Sequence, residues 1–382
     1  MNDLGQLYLL LAGCTGLAYL YDHTYVTTLH GPKKSRWIYF ALMTILICFG
    51  GFRGQYNDTW TYRDVYTYIA KPFPEAWKTI SWDLGENPGF AITMSFLKTY
   101  DVEVHLFLFF FFFWTTLFYM GFIRRYAADF TLTIYFFITM GTYTFNMAAM
   151  KQVMATGICL AAIPLAMDKK WGRYTLLVLL SSLFHPYSLM YLIVPFMSFR
   201  PWGKGSYIML ALIIIGGYLF QPMLGTIIDI TSAIGENYTA EALSGEGVNI
   251  LRLFAVWAPV VLSFLYRKTL FAECSKEERV FVNLTMVYAG ILFVGLFGTA
   301  LYFGRLSNYF SVMPVVALPW MLQKIRKHNP RDGTLITTCA VILFFIFFYF
   351  SNTLETLFSN SYAALSPGQF LKIFFEWLGS RL

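Results

Sequence analysis

The chain has 382 residues, of which 57% are hydrophobic and only 13% are charged, and its formal net charge at pH 7 is +7. Soluble globular domains carry about 25% charged residues, so this composition excludes an ordinary soluble protein and indicates a polytopic membrane protein. The basic residues cluster in short loops between apolar runs, where they set membrane orientation. We therefore expect no nucleic-acid partner.

The apolar runs predict an all-α polytopic membrane protein with about ten spans in a single domain, residues 1–382. Each run approaches the roughly 20 apolar residues that a helical span needs. Loops rich in Lys and Arg favour the cytoplasmic side, which places both chain ends outside. In chain order, the predicted spans are residues 4–21, 37–52, 105–123, 130–146, 152–167, 207–224, 250–266, 280–303, 306–322 and 333–350.

Three stretches are too polar to span a membrane, and we expect them as surface segments on the outer side. They are residues 53–103, 225–249 and 351–382. In the last stretch, Ser366 and Pro367 can start a helix in which Phe370, Phe374 and Trp377 share one face. Such a face predicts a helix that lies in the membrane interface.

Residues 174–199 are predicted to form a re-entrant helical hairpin or two short spans. As one span, this segment would place Arg200 outside and the acidic loop 225–249 inside, against the charge bias of membrane loops. Pro186 cannot continue the hydrogen bonds of a helix, so we place the tip at His185. Irregular backbone at membrane depth survives only in protein or beside water, so we expect His185 to face a polar cavity.

The stretch 51–69, GFRGQYNDTWTYRDVYTYI, turns abruptly polar and tyrosine-rich after an apolar run. Clustered charges and aromatic rings at a membrane exit indicate a bound polar ligand. The aromatic residues expected to stack on sugar rings are Tyr56, Trp60, Tyr62 and Tyr66. Tyr and Trp also populate ordinary membrane interfaces, so an interfacial belt is the alternative interpretation.

Five basic residues from separate segments are predicted to meet at the outer membrane boundary: Arg53, Arg63, Lys151, Arg252 and Arg305. The positive-inside rule disfavours cations there, and their convergence suggests a site for phosphate or pyrophosphate, which the planar Arg fork binds through two oxygens. Gln152 and Asn308 are the polar candidates beside them. Each cation can instead pair with a nearby acid such as Asp58 or Asp64.

His185 is the leading candidate for a general base, since an imidazole with a pKa of about 6.5 can accept a proton from a sugar hydroxyl. A lone histidine in an apolar segment is more often a hydrogen-bonded structural residue, and this alternative stays open. Asp58 is the second candidate base, but it can equally cap a helix that starts at Thr59. The sequence contains no metal-ligand spacing, Walker loop or dinucleotide fingerprint, so we expect a metal-independent enzyme without a cofactor.

Three segments stand out together and in order: GFRGQYNDTWTYRDVY, then FNMAAMKQVMATGICLAAIPLAMDKKWGRYTLLVLLSSLFHPYSLMYLIVPF, then LYFGRLSNYFSVMPVVALP. They resemble blocks of the EpsG family of bacterial membrane proteins, whose members look like Wzy-type polymerases of exopolysaccharide, capsule or O-antigen. The resemblance implies a C-type glycosyltransferase-like fold in the bacterial plasma (inner) membrane, with the active site facing the exterior. The family commonly has Arg-Gln where this chain has Lys151–Gln152, which keeps the charge but loses the planar fork.

The resemblance implies a reaction that transfers a growing glycan from undecaprenyl pyrophosphate to the non-reducing end of a lipid-linked repeat unit. In that reaction Arg53, Lys151, Arg252 and Arg305 are expected to hold the pyrophosphate. The expected partners are the undecaprenyl-pyrophosphate-linked oligosaccharide and membrane lipid, with a chain-length regulator and a flippase as further candidates. A ligase that uses the same lipid donor and a flippase are the competing functions, although the sequence lacks the inverted repeat typical of transporters.

Overall fold

The computed structural model describes residues 3–28, 31–220, 222–233, 247–353 and 362–381. Residues 234–246 of the predicted outer loop and 354–361 of the predicted tail lie outside the described residues. In its first half the α-helices are α1 (Asp3–His23), α2 (Arg36–Gly51), α3 (Thr59–Asp64), α4 (Phe73–Ala76), α5 (Pro88–Thr99), α6 (Val104–Tyr126), α7 (Phe130–Thr139), α8 (Thr142–Ala148), α9 (Met150–Met167) and α10 (Trp171–Ser182).

The second half continues the all-α architecture. Its α-helices are α11 (Lys204–Leu219), α12 (Leu224–Ala233), α13 (Ile250–Leu265), α14 (Arg267–Leu270), α15 (Lys276–Val294), α16 (Ala300–Ser307), α17 (Val312–His328), α18 (Pro330–Thr353) and α19 (Pro367–Gly379). A π-helical turn follows α3 (Val65–Ile69), and three segments are 3-10 helices: Leu84–Glu86, Pro186–Phe196 and Asn308–Phe310. Two antiparallel pairs of strands complete the described part: β1 (Tyr25–Thr28) with β2 (Gly31–Lys34), and β3 (Arg53–Gln55) with β4 (Ala363–Ala364).

Among the described residues, four helices are long and apolar enough to cross a membrane, namely α1, α6, α9 and α18. Helix α11 and the first part of α12 are together also long and apolar enough, and the bend between them is 106°. These long apolar helices indicate a multi-pass membrane protein, as the sequence predicts.

The remaining predicted spans correspond to shorter or interrupted helices. Helices α2, α7 and α13 are apolar but have fewer than 18 residues. The predicted span 130–146 breaks at Gly141, whose φ of 80° lies in the left-handed region that glycine tolerates best. The predicted span 280–303 divides into α15 and α16. By length and composition the described residues therefore support four or five spans, and the finer count of ten stays a prediction.

The segment around His185 is a helical hairpin. Helix α10 leads up to the tip, and the chain returns from Pro186 as a 3-10 helix. The two arms are joined by hydrogen bonds: Ser181 Oγ donates to Ser188 Oγ (2.8 Å), and Tyr174 Oη donates to the carbonyl of Tyr191 (2.5 Å). The first bond lies near the tip and the second farther from it, so the arms are antiparallel.

Both arms of this hairpin contact the first half of α15 at their ends farthest from the tip. Lys276 Nζ lies 5.5 Å from the centre of the Trp171 ring, at the start of α10. Asn283 Nδ2 donates to the carbonyls of Met197 and Phe199, just after the second arm (both 2.9 Å). The backbone therefore has the hairpin shape that the sequence predicts, while its re-entry into a membrane stays a prediction.

Basic side chains hold one end of the bundle together by binding the carbonyl ends of helices. Lys276 Nζ donates to the carbonyls of Ala166 and Met167 at the end of α9 (both 3.2 Å). Lys324 Nζ donates to the carbonyl of Leu270 at the end of α14 (2.9 Å). Cations are favourable at helix C-termini because the helix dipole is negative there. This end carries loops predicted to be cytoplasmic, so the opposite end is the predicted outer side.

The main core lies between α2, α6, α9, α15 and α17, where large aromatic and aliphatic side chains are buried. Close approach between α2 and α6 depends on a glycine: a Cβ at Gly50 would lie 2.2 Å from the ring of Phe112. That ring in turn lies 5.1 Å beneath the guanidinium of Arg53. The packing of two apolar helices thus fixes the start of residues 53–103, here called the outer segment.

The C-terminal tail folds back onto the same start of the outer segment. Strand β4 pairs with β3, which sets Ala364 opposite Arg53. Beyond it, α19 lays Phe370 on the ring of Phe52, with 4.3 Å between the ring centres. The predicted tail helix is present, and the contacts of its buried Phe370 attach it to the outer segment.

Candidate active site

Two cavities open at the predicted outer end of the bundle and share part of their walls. One has a volume of about 450 Å³ and the other about 560 Å³. Asp58, Ala149 and Arg305 line both of them. These residues come from the outer segment, from the α8–α9 junction and from α16, so the shared wall joins three distant parts of the chain.

The smaller cavity, here called the polar cavity, is lined mostly by residues that carry a polar group, and the rings of its tyrosines supply apolar surface. Its wholly apolar side chains are those of Ala149 and Leu306, among the described residues. Its polar and aromatic side chains are Asp58, Thr61, Tyr62, Asn87, Lys151, Gln152, His185, Tyr187, Tyr302, Arg305 and Tyr309. The cavity therefore combines two cations, a carboxylate and an imidazole with hydroxyl and amide groups, which suits a sugar and its phosphate.

The larger cavity, here called the amphiphilic cavity, has a mixed lining. Its polar residues are Tyr56, Asn57, Asp58, Thr139, Thr144, Asn249, Arg252, Tyr288, Arg305, Asn308, Ser351 and Asn352. Its apolar residues include Met140, Phe145, Val248, Leu251, Phe347, Phe348 and Phe350. Such a cavity fits a molecule with an anionic head and a hydrocarbon chain.

An ion pair stands in the shared wall. Arg305 Nη2 lies 3.3 Å from Asp58 Oδ2, and their side chains are 51% and 38% exposed. Gln152 Nε2 donates to the backbone carbonyl of Arg305 (2.6 Å), which ties α9 to α16. Asp58 occupies the N-cap position of α3, but its side chain makes no capping hydrogen bond. Asp58 pairs with Arg305 and lines both cavities, so the structure does not support the helix-cap interpretation, and a role in catalysis stays a prediction.

His185 reaches the polar cavity from the hairpin tip, outside the helices that are long enough to span a membrane. Its Nδ1 lies 2.7 Å from the hydroxyl of Tyr309. Burial and the positive charges of Lys151 and Arg305 lower the pKa of His185 to about 3. The imidazole is therefore neutral near pH 7 and able to accept a proton, but a pKa this low makes it a weak base.

Arg53 lies elsewhere, beneath the outer segment, and lines neither cavity. Its side chain is 1% exposed, Nη1 donates to the carbonyl of Gly50 (2.6 Å), and Nε donates to Thr59 Oγ1 (3.3 Å). Burial lowers its pKa to about 10, which still leaves it charged at neutral pH. Arg53 therefore connects the end of α2 to the start of α3. Its guanidinium is not placed where it could bind a phosphate in either cavity.

Three more predicted residues lie outside both cavities. Arg63 Nη1 donates to the carbonyl of Gly54 (2.8 Å). Tyr66 is buried against Phe107, with 4.2 Å between stacked rings. The Trp60 side chain is exposed and lines neither cavity. The structure thus separates the predicted set into residues that hold the outer segment and residues that line a cavity.

The other predicted site residues do come together. Asp58, Tyr62, Lys151, Gln152, His185 and Arg305 line the polar cavity, while Tyr56, Asp58, Arg252, Arg305 and Asn308 line the amphiphilic cavity. The residues of the single cationic site expected from sequence are therefore divided between two neighbouring cavities, with Arg305 in the walls of both. Burial raises the pKa of Tyr62 to about 12, so its hydroxyl stays a hydrogen-bond donor at neutral pH.

Sequence analysis missed two residues that shape the polar cavity. Tyr309 contacts His185, and nothing in the run SNYF distinguishes it from a core tyrosine. Asn87 has a φ of 56°, and its Nδ2 donates to the carbonyl of Gly85 (2.7 Å). Its Oδ1 has no hydrogen-bond partner among the described residues. The position before Pro88 was a usable signal, because Asn tolerates the left-handed conformation that such turns require.

No three His, Cys, Asp or Glu side chains lie close enough together to hold a metal ion in the part of the chain that the structure describes. A family model described as the EpsG family matches residues 36–365. That range includes every residue that lines the two cavities. No curated protein and no solved structure matches the chain.

Proposed function

The chain belongs to the EpsG family, and we propose that it is a polysaccharide polymerase acting on the outer face of the bacterial plasma membrane. Membership implies a role in exopolysaccharide biosynthesis. The proposed reaction moves a growing glycan from undecaprenyl pyrophosphate to the non-reducing end of a lipid-linked repeat unit. The observation that carries this proposal is the polar cavity, in which a neutral His185 lies with the cations Lys151 and Arg305.

The proposed chemistry is a displacement at the anomeric carbon of the donor glycan. The acceptor hydroxyl oxygen forms a bond to this carbon while the bond from the carbon to the pyrophosphate oxygen breaks. Undecaprenyl pyrophosphate leaves with the electron pair, and the hydroxyl proton passes to His185. A positioned base of this kind typically contributes about 10²–10⁴-fold.

Charge that develops on the leaving pyrophosphate is the main difficulty, and fixed cations address it. Arg305 is suited to this role because its planar fork can bind two oxygens at once. Removing one preorganised donor from an enzyme site typically costs about 3–4 kcal/mol of transition-state stabilisation. Arg252 lines the amphiphilic cavity together with Arg305 and supplies a second positive charge there.

His185 needs a defined tautomer to act as a base. In the proposal, Nδ1–H donates to the Tyr309 hydroxyl, which leaves Nε2 able to accept the proton. The 2.7 Å contact between Nδ1 and Oη fits either direction of this bond, and the proposal assigns the direction that leaves Nε2 as the acceptor. The Tyr191 hydroxyl donates to the carbonyl of Tyr309 (2.6 Å), and this bond ties Tyr309 to the hairpin that carries His185.

The finer architecture belongs to the same proposal. It comprises about ten spans, a hairpin that re-enters the membrane and a C-type glycosyltransferase-like arrangement. The proposed substrate is the undecaprenyl-pyrophosphate-linked oligosaccharide. A chain-length regulator and a flippase are proposed as partners, because a polymerase at the outer face needs translocated repeat units.

Reconstitution of the purified protein with native lipid-linked repeat units tests the function. We expect a ladder of glycans on gels from the wild type and a loss of about 10²-fold or more in rate from His185→Gln, which keeps hydrogen-bonding capacity without the base. A wild-type protein that transfers one glycan to a different acceptor would be a ligase. A wild-type protein that moves the lipid across vesicles without lengthening the glycan would be a flippase. Either result overturns the proposal.

A further inference from the structure

We infer that the two cavities are separate subsites: the amphiphilic cavity binds the polyprenyl pyrophosphate of the donor, and the polar cavity binds the sugar of the acceptor. The Asp58–Arg305 ion pair divides them. The inference rests on the proposed function and deepens it, because it assigns a different substrate part to each cavity.

The first argument is the contrast between the two linings. A polyprenyl pyrophosphate needs cations for its head and an apolar surface for its chain. The lining of the amphiphilic cavity includes both Arg252 and Arg305 and the rings of Phe347 and Phe348 from α18. Helix α18 is one of the four helices able to span a membrane, so this apolar wall is continuous with a surface that lipid can reach.

The polar cavity offers no comparable apolar wall among the described residues. It presents hydroxyls and amides, including Asn87, which is 6% exposed and has an unpartnered Oδ1. Sugars need acceptors of this kind for their hydroxyl groups. His185 belongs to this cavity and not to the other. The proton acceptor is thus placed on the side where the attacking hydroxyl has to be.

Arg252 lies close to Arg305 in the wall of the amphiphilic cavity. A Cβ at Gly304 would lie 3.1 Å from Arg252 Nη1, so the guanidinium lies directly over this glycine. Gly304 precedes Arg305, and both Arg side chains line the amphiphilic cavity. Two forks in one wall can bind the two phosphates of a pyrophosphate together.

The third argument is that the dividing ion pair can exchange partners. Asp58 and Arg305 are both partly exposed and 3.3 Å apart, and ion pairs of this kind are weak. A pyrophosphate in the amphiphilic cavity presents several anionic oxygens to Arg305 and competes with the single carboxylate. When Arg305 turns to the pyrophosphate, the divider opens, and the acceptor hydroxyl beside His185 can reach the anomeric carbon.

Binding measurements without turnover test this division, with one probe for each cavity. The first probe is undecaprenyl pyrophosphate without sugar, and the second is the repeat-unit oligosaccharide released from its lipid by mild acid. The matched variants are Arg252→Gln in the amphiphilic cavity and Lys151→Gln in the polar cavity. Each removes one positive charge, and Lys151→Gln serves as the control for Arg252→Gln.

We expect Arg252→Gln to weaken undecaprenyl pyrophosphate binding about tenfold or more, the loss typical of a charge-assisted hydrogen bond. The Kd of the oligosaccharide should stay within about twofold of the wild-type value. A twofold change in Kd corresponds to less free energy than one hydrogen bond contributes. Lys151→Gln should show the reverse pattern. Equal weakening of both probes by both variants would mean one shared site and would overturn the division.

Gly304→Ala provides a second route if Arg252→Gln does not fold. The added methyl group pushes against the Arg252 guanidinium and should also weaken undecaprenyl pyrophosphate binding selectively; unchanged binding would count against the division. Failure of the proposed function is distinguishable. A wild type that elongates glycans while both variants affect both probes equally keeps the function and loses the division. A wild type that binds the two probes at separable sites but never elongates keeps the division and loses the function.

Discussion

Arg53 and Arg305 both belong to the cationic set at the predicted outer boundary, yet their surroundings in the structure are opposite. Arg53 is buried over Phe112 and donates to a carbonyl of the preceding helix. Arg305 is half exposed, pairs with Asp58 and lines both cavities. The same residue type therefore serves the fold in one place and presents its charge to two cavities in the other, and the difference is visible only once the partners of each guanidinium are known.

The largest expected effect falls on activity at Arg305. Arg305→Gln removes the charge proposed to stabilise the leaving pyrophosphate, and we expect a loss of about 10²–10³-fold in polymerisation rate. Stability should change by less than about 1 kcal/mol, because the lost ion pair is exposed to solvent. Initial rates and thermal melting of the purified variant measure both quantities. If the Arg305→Gln protein melts at a lower temperature but keeps its rate per folded molecule, Arg305 has a structural role like that of Arg53, and the contrast between the two arginines is lost.

The next largest effect is the reverse pattern at Arg53. Arg53→Ala leaves a cavity and deprives the Gly50 carbonyl of a donor, and we expect a loss of roughly 2–4 kcal/mol in the free energy of unfolding. Thermal melting in detergent and the yield of folded protein report this loss. The protein that does fold should polymerise at nearly the wild-type rate. A well-folded Arg53→Ala protein with no activity would return Arg53 to the substrate site.

The smallest expected effect is a shift in the pH dependence of kcat/KM. We expect this shift when Arg305 is replaced but not when Arg53 is replaced. With the pKa of His185 lowered to about 3 by burial, Lys151 and Arg305, the base form predominates above that pH. The kcat/KM of the wild type should therefore stay level from pH 8 to below pH 6 and fall only in more acidic buffer.

The Arg305→Gln variant sharpens this test. Removal of a positive charge near His185 favours the protonated imidazole, so the acidic limb of the variant should lie at higher pH than that of the wild type. Folded Arg53→Ala protein serves as the control and should keep the wild-type profile, because the Arg53 charge is not among the causes of the His185 shift. A wild-type limb centred near pH 6.5 would show that His185 titrates normally and is not held neutral by the cavity.

Loop charge and the proline break carried much of the site prediction. The excess of basic residues in inner loops was enough to place Lys151, Arg252 and Arg305 at one end, and Pro186 was enough to locate the hairpin tip at His185. These inferences depend on where a segment lies, which hydropathy and charge determine well. The structure brings all four residues to the walls of the two cavities.

Side-chain direction and tertiary partners could not be predicted in this way. Arg53 turns inward because Gly50 lets α2 approach Phe112 and because β4 pairs with its strand from more than 300 positions away. The separation into two cavities depends on the Asp58–Arg305 contact between the outer segment and α16. Long-range contacts of this kind leave no local pattern in the sequence, and the same holds for the tyrosine beside His185.

The central claim is that polymerisation proceeds with undecaprenyl pyrophosphate as the leaving group. Its most direct test is to count products in one reaction: purified wild-type protein, native lipid-linked repeat units and no other enzyme. We predict that one undecaprenyl pyrophosphate is released for each new glycosidic bond, and that the glycan lengthens in steps of one repeat. Release of undecaprenyl pyrophosphate without a new glycosidic bond, or no release while the lipid crosses the membrane intact, would contradict the account.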